Sequence, residues 1–336
     1  MQRLFFPSVG ILSNFLGLGD AHADEKPLTI RKATHAETLP ALRLLLGSHG
    51  TAAHEQHVQE FLAFAKERNM DLSLLHVAEQ GGRITLAALP VPSPGRTMLV
   101  FASPLANRGD HEPLATLIDT ACHAGAERGV QLAEALIDPS DPVFRQAYES
   151  AGFRTMAELI YLATDIRPNT QPPTLPADLH WETYSRATHA RFAEAILASY
   201  QNSLDCPALN GQRAIDDILE GHKAAGIFDP SRWFILCDKT QTLGVLLLSD
   251  AGRGAKTMEL VYLGLNPAAR GKKLGELLMK QTLALCASQG FSKLTLAVDA
   301  KNVPAQKLYY RHGMSRLASK LALMRRLESV PLLGDR

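Results

Sequence analysis

The chain has 336 residues, a formal net charge of +1 and four cysteines, with 46% hydrophobic and 21% charged residues. This length exceeds what one hydrophobic core usually serves, so two domains are expected of an ordinary globular protein. The near-neutral charge excludes a broad nucleic-acid-binding surface, which needs a concentrated excess of Lys and Arg, and no window holds the roughly 20 apolar residues of a membrane span.

The cysteines lie far apart and form no C-x-x-C pair: Cys122, Cys206, Cys237 and Cys286. This spacing predicts neither a metal site nor a disulfide framework. Reduced thiols are typical of a reducing compartment, so we expect a cytoplasmic protein.

Residues 1–27 form a leader in which Arg3 precedes a mostly apolar run. Ala21-His-Ala23 resembles a signal-peptide cleavage site, whereas Pro7, Ser8 and Asn14 interrupt the apolar run. We favour an uncleaved, disordered leader and keep a signal peptide as the alternative.

Residues 28–165 read as one unit. A strand from Leu28 is followed by an amphipathic helix opening at Thr34 or Glu37 and by a second helix with one apolar face. Turn residues then separate three short strands, as in antiparallel hairpins. The order is completed by a helix, a strand, a short helix that ends at Gly152 and a closing strand. The second helix is predicted over 55–68 and the three short strands over 72–78, 84–89 and 97–101. The four closing elements are predicted over 112–127, 130–137, 142–152 and 153–164.

Residues 166–177 form the linker, because four prolines between Arg167 and Pro176 cannot join a helix or a central strand. After it the same order restarts over 178–328, and residues 329–336 form a tail. Tyr148 and Tyr309 each precede a helix-ending glycine by four residues. A period near 160 residues indicates two copies of one domain.

The most informative stretch of the second copy is a basic turn between a strand and a helix, Arg270-Gly-Lys-Lys-Leu-Gly275. The free N–H groups and positive dipole end of a helix start suit a phosphate. A solvated helix start is the plain alternative, but three cations are unfavourable at that dipole end and therefore favour an anionic ligand. Nearby, Gly252 to Thr257 superficially resembles a P-loop but sits between two strands, so we interpret it as a hairpin turn.

This stretch resembles the signature of the GNAT superfamily of acyl-CoA-dependent N-acyltransferases: Gln or Arg, two residues, Gly, one residue, then Gly or Ala. Arg270 and Gly275 match, whereas Lys273 replaces the inner glycine. That glycine lets the backbone approach a pyrophosphate; Lys273 can still offer its N–H if its side chain points outward. The resemblance implies an α/β fold with a mixed sheet, in two tandem GNAT-like domains.

By the same resemblance the second copy binds acetyl-CoA or another short acyl-CoA. The turn residues Arg270 to Gly275 hold the pyrophosphate; they are Arg270, Gly271, Lys272, Lys273, Leu274 and Gly275. Backbone amides near Leu263 and Leu265 hold the pantetheine arm, and Asn302 touches it. Tyr309 occupies the position of the general acid, whereas Tyr310 points elsewhere on its helix.

Glu259 is the base candidate, because Met-Glu-Leu-Val resembles the strand that carries the glutamate base in histone-acetylating relatives. Family members that use a water chain offer the alternative, in which Glu259 is a satisfied strand carboxylate. His189, His222 and His312 lie in no ligand spacing and are expected to be structural or exposed.

The first copy departs from the pattern. Its turn places Asp110 and Glu112 where a pyrophosphate needs cations, and Asp141 stands where the second copy has Asn302. We expect that the first domain binds no acyl-CoA and instead shapes the acceptor groove or stabilises its partner, and that Tyr148 is a core aromatic.

The leading hypothesis is an N-acyltransferase acting on an amine, by Tyr309 and Glu259. A non-catalytic acyl-CoA-binding or scaffold protein is the alternative, and nucleotide binding through the basic turn is weaker because no metal ligand accompanies it. The sequence does not decide whether the acceptor is a small-molecule amine or a peptide amine. It also does not decide whether the protein is a monomer or a homodimer.

Overall fold

The computed structural model describes residues 27–47, 52–67, 69–105, 111–252 and 256–328. Residues 1–26 of the leader, the tail and Asp110 lie outside these residues. Within them, no helix has the length and apolarity that crossing a bilayer requires. All four cysteines are buried and carry free thiols.

Within the described residues, each half contains six strands and four α-helices in the same order. In the first half the strands are β1 Thr29–Lys32, β2 His76–Gln80, β3 Arg83–Ser93, β4 Thr97–Ala102, β5 Leu132–Ile137 and β6 Arg154–Asp165, and the helices are α1 Thr38–Leu45, α2 Ala52–Glu67, α3 Glu112–Ala126 and α4 Pro142–Ser150. In the second half the strands are β7 His180–Thr183, β8 Trp233–Cys237, β9 Thr242–Asp250, β10 Thr257–Leu265, β11 Lys293–Asp299 and β12 Ser315–Arg326, and the helices are α5 His189–Tyr200, α6 Ile215–Lys223, α7 Leu274–Ser288 and α8 Val303–Arg311.

The predicted order of elements is observed, with shifted boundaries. The strand expected at 72–78 begins at His76, because Asp71 accepts a hydrogen bond from the N–H of Ser73 and Leu75 bonds back to Leu72 in a turn. In the second half, where the sequence predicts a helix around Gln212 to Lys223, α6 begins at Ile215.

All twelve strands form one mixed sheet, in the order β1-β2-β3-β4-β5-β12-β6-β11-β10-β9-β8-β7. This confirms the expected fold class. Helices cover both faces: α3 and α4 pack on one face of the first half and α1 and α2 on the other, while α7 with α8 and α5 with α6 do the same in the second half.

The two halves exchange their last strands. We expected β6 to close the first unit, but it lies between β11 and β12 of the second half, and β12 lies between β5 and β6. β6 and β12 pair with each other at the centre of the sheet. Each half therefore needs a strand from the other to complete its sheet.

A second contact joins the halves away from the sheet centre. The hairpin between β3 and β4 packs on the first turn of α6, where Arg96 forms an ion pair with Asp217 at 2.5 Å. Gly95 has a φ of +84°, and a Cβ there would lie 2.0 Å from the carbonyl oxygen of Asp217. Only glycine allows this close approach.

Candidate active site

A groove opens in the second half where β10 and β11 diverge. These parallel strands are paired only from Thr257 to Glu259, opposite Lys293 to Thr295, and a bulge interrupts β10 just beyond. The groove between them, the cofactor groove, has a volume of about 1270 Å³ and runs over the first turn of α7 to α8. It is lined by all the predicted cofactor residues except Lys272, and by Tyr309: Leu263, Leu265, Arg270, Gly271, Lys273, Leu274, Gly275 and Asn302.

The turn before α7 presents its backbone to this groove. Gly271 has a φ of +76°, and Lys273, directly before α7, has a φ of +59° and an exposed side chain. Across the described parts of the chain, no carbonyl or side chain accepts from the N–H groups of Gly271 to Gly275. Free N–H groups at a helix start form an anion-binding site. Lys273 thus adopts a left-handed conformation, which favours glycine.

Arg270 is oriented differently from the other cations of the turn. Its guanidinium donates to the carbonyls of Leu265, Ser199 and Asn202, at 3.2, 2.9 and 2.9 Å. The side chain therefore ties the end of β10 to the end of α5. Its charge is engaged with these carbonyls.

Tyr309 lies on α8 with its side chain 7% exposed, and it lines the cofactor groove. Among the described residues its hydroxyl has no hydrogen-bond partner. Burial raises the pKa of this phenol, and the nearby carboxyl of Asp205 raises it further. Asn302 caps α8 by accepting from the N–H of Ala305 at 3.3 Å.

Glu259 lines a second cavity rather than the cofactor groove. This central cavity, of about 200 Å³, lies between the two halves and receives residues from the β3–β4 hairpin, β5 and α6. Glu259 is 7% exposed and has an interaction partner. The two cavities share five lining residues, so they meet where β10 and β11 diverge: Asp205, Leu260, Val261, Tyr262 and Ala297.

Several residues of the central cavity were not found from the sequence. Asp205 accepts from the N–H of Asp299 at 3.1 Å, and burial raises the pKa of its carboxyl. Glu134 comes from β5, Arg213 precedes α6, and His222 stacks on Tyr262 with ring centroids 5.6 Å apart. They follow no motif and meet only through the packing of the two halves.

The other predicted histidines are paired. His189 is 2.8 Å from the hydroxyl of Tyr184, and His312 is 2.6 Å from a carboxylate oxygen of Glu276.

The first half contains the corresponding geometry with different side chains. β4 and β5 are paired only from Thr97 to Leu99 and then diverge. Asp141 caps α4 as Asn302 caps α8, accepting from the N–H of Phe144 at 2.9 Å. Glu112, at the start of α3, is exposed and lies 3.2 Å from His111.

Comparison with known proteins agrees with this geometry. Residues 198–314 match the sequence profile of the Acetyltransferase (GNAT) family. The chain is 27% identical to a mycothiol acetyltransferase of Beutenbergia cavernae over 252 residues, 68% of this chain and 80% of the relative. It is 24% identical to a mycothiol acetyltransferase of Amycolatopsis mediterranei over 182 residues, 52% of this chain and 59% of that relative.

A solved structure shares the fold along most of the chain. It is a GCN5-related N-acetyltransferase from Sphaerobacter thermophilus, with a TM-score of 0.60 at 16% identity, covering 91% of this chain and 99% of the other. The profile match falls on the half that carries the basic turn, the cofactor groove and Tyr309. The chain therefore matches the GNAT acetyltransferase family within its C-terminal half, and it shares the fold of that solved structure along most of its length.

Proposed function

We propose that the second half binds acetyl-CoA in the cofactor groove and transfers its acetyl group to a primary amine that enters through the central cavity. The observation that carries this proposal is the run of free N–H groups from Gly271 to Gly275, at one end of a groove that also holds the Tyr309 hydroxyl. The N–H groups suit the pyrophosphate, and past Glu259 β10 has a strand partner on only one side, which leaves room for the pantetheine arm beside Leu263 and Leu265.

The chemistry needs a proton acceptor on the amine side and a proton donor on the thioester side. In the proposal the carboxylate of Glu259 takes a proton from the ammonium form of the acceptor. The free amine attacks the thioester carbonyl carbon and the C–N bond forms; the attached nitrogen then loses its second proton to solvent as the C–S bond breaks. The Tyr309 hydroxyl donates its proton to the leaving thiolate and is reprotonated through solvent.

The positions of the two side chains fit this division. Tyr309 lines the cofactor groove and Glu259 lines the central cavity, and the two cavities meet at the divergence of β10 and β11. The high pKa of Tyr309 keeps its proton available at neutral pH. The cavity volume of about 200 Å³ and the name of the mycothiol acetyltransferase relatives both favour a small-molecule acceptor.

We further propose that residues 28–165 bind no acyl-CoA and that 178–328 carry the catalytic site. In the first half, Glu112 places a carboxylate at the start of α3, and Tyr148 is 1% exposed with its hydroxyl bonded to the carbonyl of Val100. Because β6 completes the sheet of the second half, removing residues 1–165 would remove a strand of that sheet. Tests of this division therefore use the full chain.

The proposal is tested by calorimetry of the full chain with acetyl-CoA, followed by thiol release across a panel of amines. One cofactor bound per chain and amine-dependent thiol release are expected. Binding without thiol release for any amine would support the non-catalytic alternative. If acetyl-CoA produces no heat of binding, the enzymatic proposal and the non-catalytic alternative both lose their basis.

A further inference from the structure

Two fully buried side-chain nitrogens without hydrogen-bond partners belong to residues that line the central cavity. They are Nε of Arg213 and Nε2 of His222, and among the described residues the only other such side-chain atom is Nε1 of Trp233. An unpaired buried polar group costs free energy, so such atoms are rare. Two of them in residues lining one cavity indicate a ligand that supplies the missing partners.

The position of Arg213 is fixed by other contacts. Its Nη2 donates to the carbonyls of Gly95 at 3.0 Å and of Asp217 at 2.5 Å, which joins the first-half hairpin to α6. Nε remains, and a guanidinium N–H is a donor only. The ligand must therefore offer an acceptor oxygen to Arg213.

His222 is held by its stack on Tyr262. Burial, with a contribution from the nearby guanidinium of Arg213, lowers the pKa of His222 to about 3, so the ring is neutral. Its Nε2 accepts or donates according to the tautomer. It adds a hydrogen bond without adding charge.

The charged groups of the cavity lining are three carboxylates and one guanidinium. The carboxylates belong to Glu134 of the first half, Glu259 and Asp205, and the guanidinium belongs to Arg213. Glu134 is the last residue of β5 that pairs with β4, opposite Leu99, and Glu259 is the last residue of β10 that pairs with β11, opposite Thr295. Each half thus directs one glutamate from its own strand divergence into the same cavity.

Glu134 is the carboxylate that most needs a partner. Within the described ranges it forms neither a hydrogen bond nor an ion pair. Glu134 is half-buried; burial raises the pKa of its carboxyl and the nearby guanidinium of Arg213 lowers it, so a cation beside it would further stabilise the charged form. An ammonium ion held by Glu134 would meet this need, and a further carboxylate on the ligand would be repelled.

Resting on the proposed function, we propose that the acceptor is a small amine bound as its ammonium ion by Glu134 of the first half, and that it carries an uncharged oxygen, a hydroxyl or an amide carbonyl, which accepts from Nε of Arg213. The first half then determines the choice of acceptor, while the second half holds the cofactor.

Three matched amines test this. Serinamide has an ammonium group with uncharged oxygens, serine adds a carboxylate, and butylamine has no oxygen. Each is titrated by calorimetry into the full chain saturated with CoA, and thiol release with acetyl-CoA is measured in parallel. We expect serinamide to bind at least about tenfold more tightly than the other two, the effect of one good hydrogen bond or one repulsive charge.

Two variants identify the residues responsible. Glu134→Gln is expected to weaken serinamide and butylamine alike by about tenfold and to leave acetyl-CoA binding unchanged. Arg213→Lys removes the Nε donor and is expected to abolish the preference for serinamide over butylamine. Arg96→Lys is the control, because Arg96 belongs to the same hairpin contact but does not line the cavity, and it should keep the preference.

Equal binding of serine and serinamide would overturn the inference. So would the absence of serinamide binding, a preference that survives in Arg213→Lys, or unchanged affinity for both amines in Glu134→Gln, in a protein that still binds acetyl-CoA. Failure of the wild-type chain to bind acetyl-CoA would instead refute the proposed function on which the inference rests.

Discussion

Tyr148 and Tyr309 occupy equivalent positions in the two halves but have different hydroxyl environments. The hydroxyl of Tyr148 donates to the carbonyl of Val100 at 2.9 Å in the core of the first half. The hydroxyl of Tyr309 has no partner among the described residues and belongs to the lining of the cofactor groove. One chain therefore contains a structural tyrosine and a candidate acid on the same framework.

The variant Tyr309→Phe tests whether the Tyr309 hydroxyl acts as the general acid. We expect kcat to fall by about 100-fold, the lower end of general acid–base contributions, with acetyl-CoA affinity within about twofold of wild type. Tyr148→Phe is the matched control: it removes a buried hydrogen bond and should lower the free energy of unfolding by about 1 kcal/mol without changing kcat. Equal losses of activity in the two variants would contradict the assignment.

The pH dependence of the rate follows from the pKa of Tyr309. Tyr309 donates only while protonated, and burial raises its pKa above the ordinary value of 10.0. At saturating substrates, kcat should rise as the amine is deprotonated and then remain level to about pH 10. A fall in kcat centred near pH 8, absent in Tyr309→Phe, would show that the phenol titrates far lower than its burial implies.

Lys273 tests whether backbone or side chain binds the cofactor. Its left-handed conformation costs about 1 kcal/mol for a residue other than glycine, so Lys273→Gly should raise the melting temperature. Because the N–H groups remain, the Kd for acetyl-CoA should increase by no more than about threefold. Lys272→Ala is the control, since it also removes one exposed cation but relieves no such strain. A tenfold or larger loss of acetyl-CoA affinity in Lys273→Gly, without such a loss in Lys272→Ala, would show that the Lys273 side chain binds the cofactor.

Arg270 is predicted to act as a brace between α5 and β10. Arg270→Ala removes three hydrogen bonds from a charged donor, and we expect the free energy of unfolding to fall by about 2 kcal/mol. Acetyl-CoA affinity should fall less than in a variant that loses a direct phosphate contact, by about threefold at most. A large loss of affinity with unchanged stability would mean that Arg270 turns toward the cofactor when it binds.

Gly95→Ala tests the contact between the hairpin and α6. The added Cβ would lie 2.0 Å from the Asp217 carbonyl oxygen and 2.3 Å from Nη2 of Arg213, so the hairpin must move. We expect a loss of about 2 kcal/mol beyond that of Gly82→Ala, which has a similar φ of +79° but no neighbour within 4 Å. Acceptor turnover should fall in Gly95→Ala only. Equal stability of the two variants would contradict the close packing seen at this contact.

The sequence predicted the order of elements, the fold class and the family, because turn residues, periodicity and the stretch from Met258 to Met314 are local signals. It did not predict the exchange of β6 and β12. Both strands carry apolar residues suited to a central position. No local sequence signal indicates which half's sheet such a strand joins. Asp110 lies outside the described residues, so the expectation that its carboxylate opposes a cofactor phosphate stays a prediction.

Side-chain roles were predicted less completely than the backbone turn. The free N–H groups follow from a helix start, which the sequence indicates directly. The brace formed by Arg270 depends on carbonyls of α5, and the cavity residues Glu134, Arg213 and His222 come from three segments that meet only in the folded chain. No spacing rule connects such residues.

The most direct test of the central claim is a calorimetric titration of the full chain with acetyl-CoA, comparing wild type with Tyr309→Phe and following thiol release with an added amine. We predict one acetyl-CoA per chain with equal affinity in both proteins, and release of thiol that depends on the amine and falls by about 100-fold in the variant. Two cofactors per chain, no binding, or thiol release that does not depend on Tyr309 would contradict it.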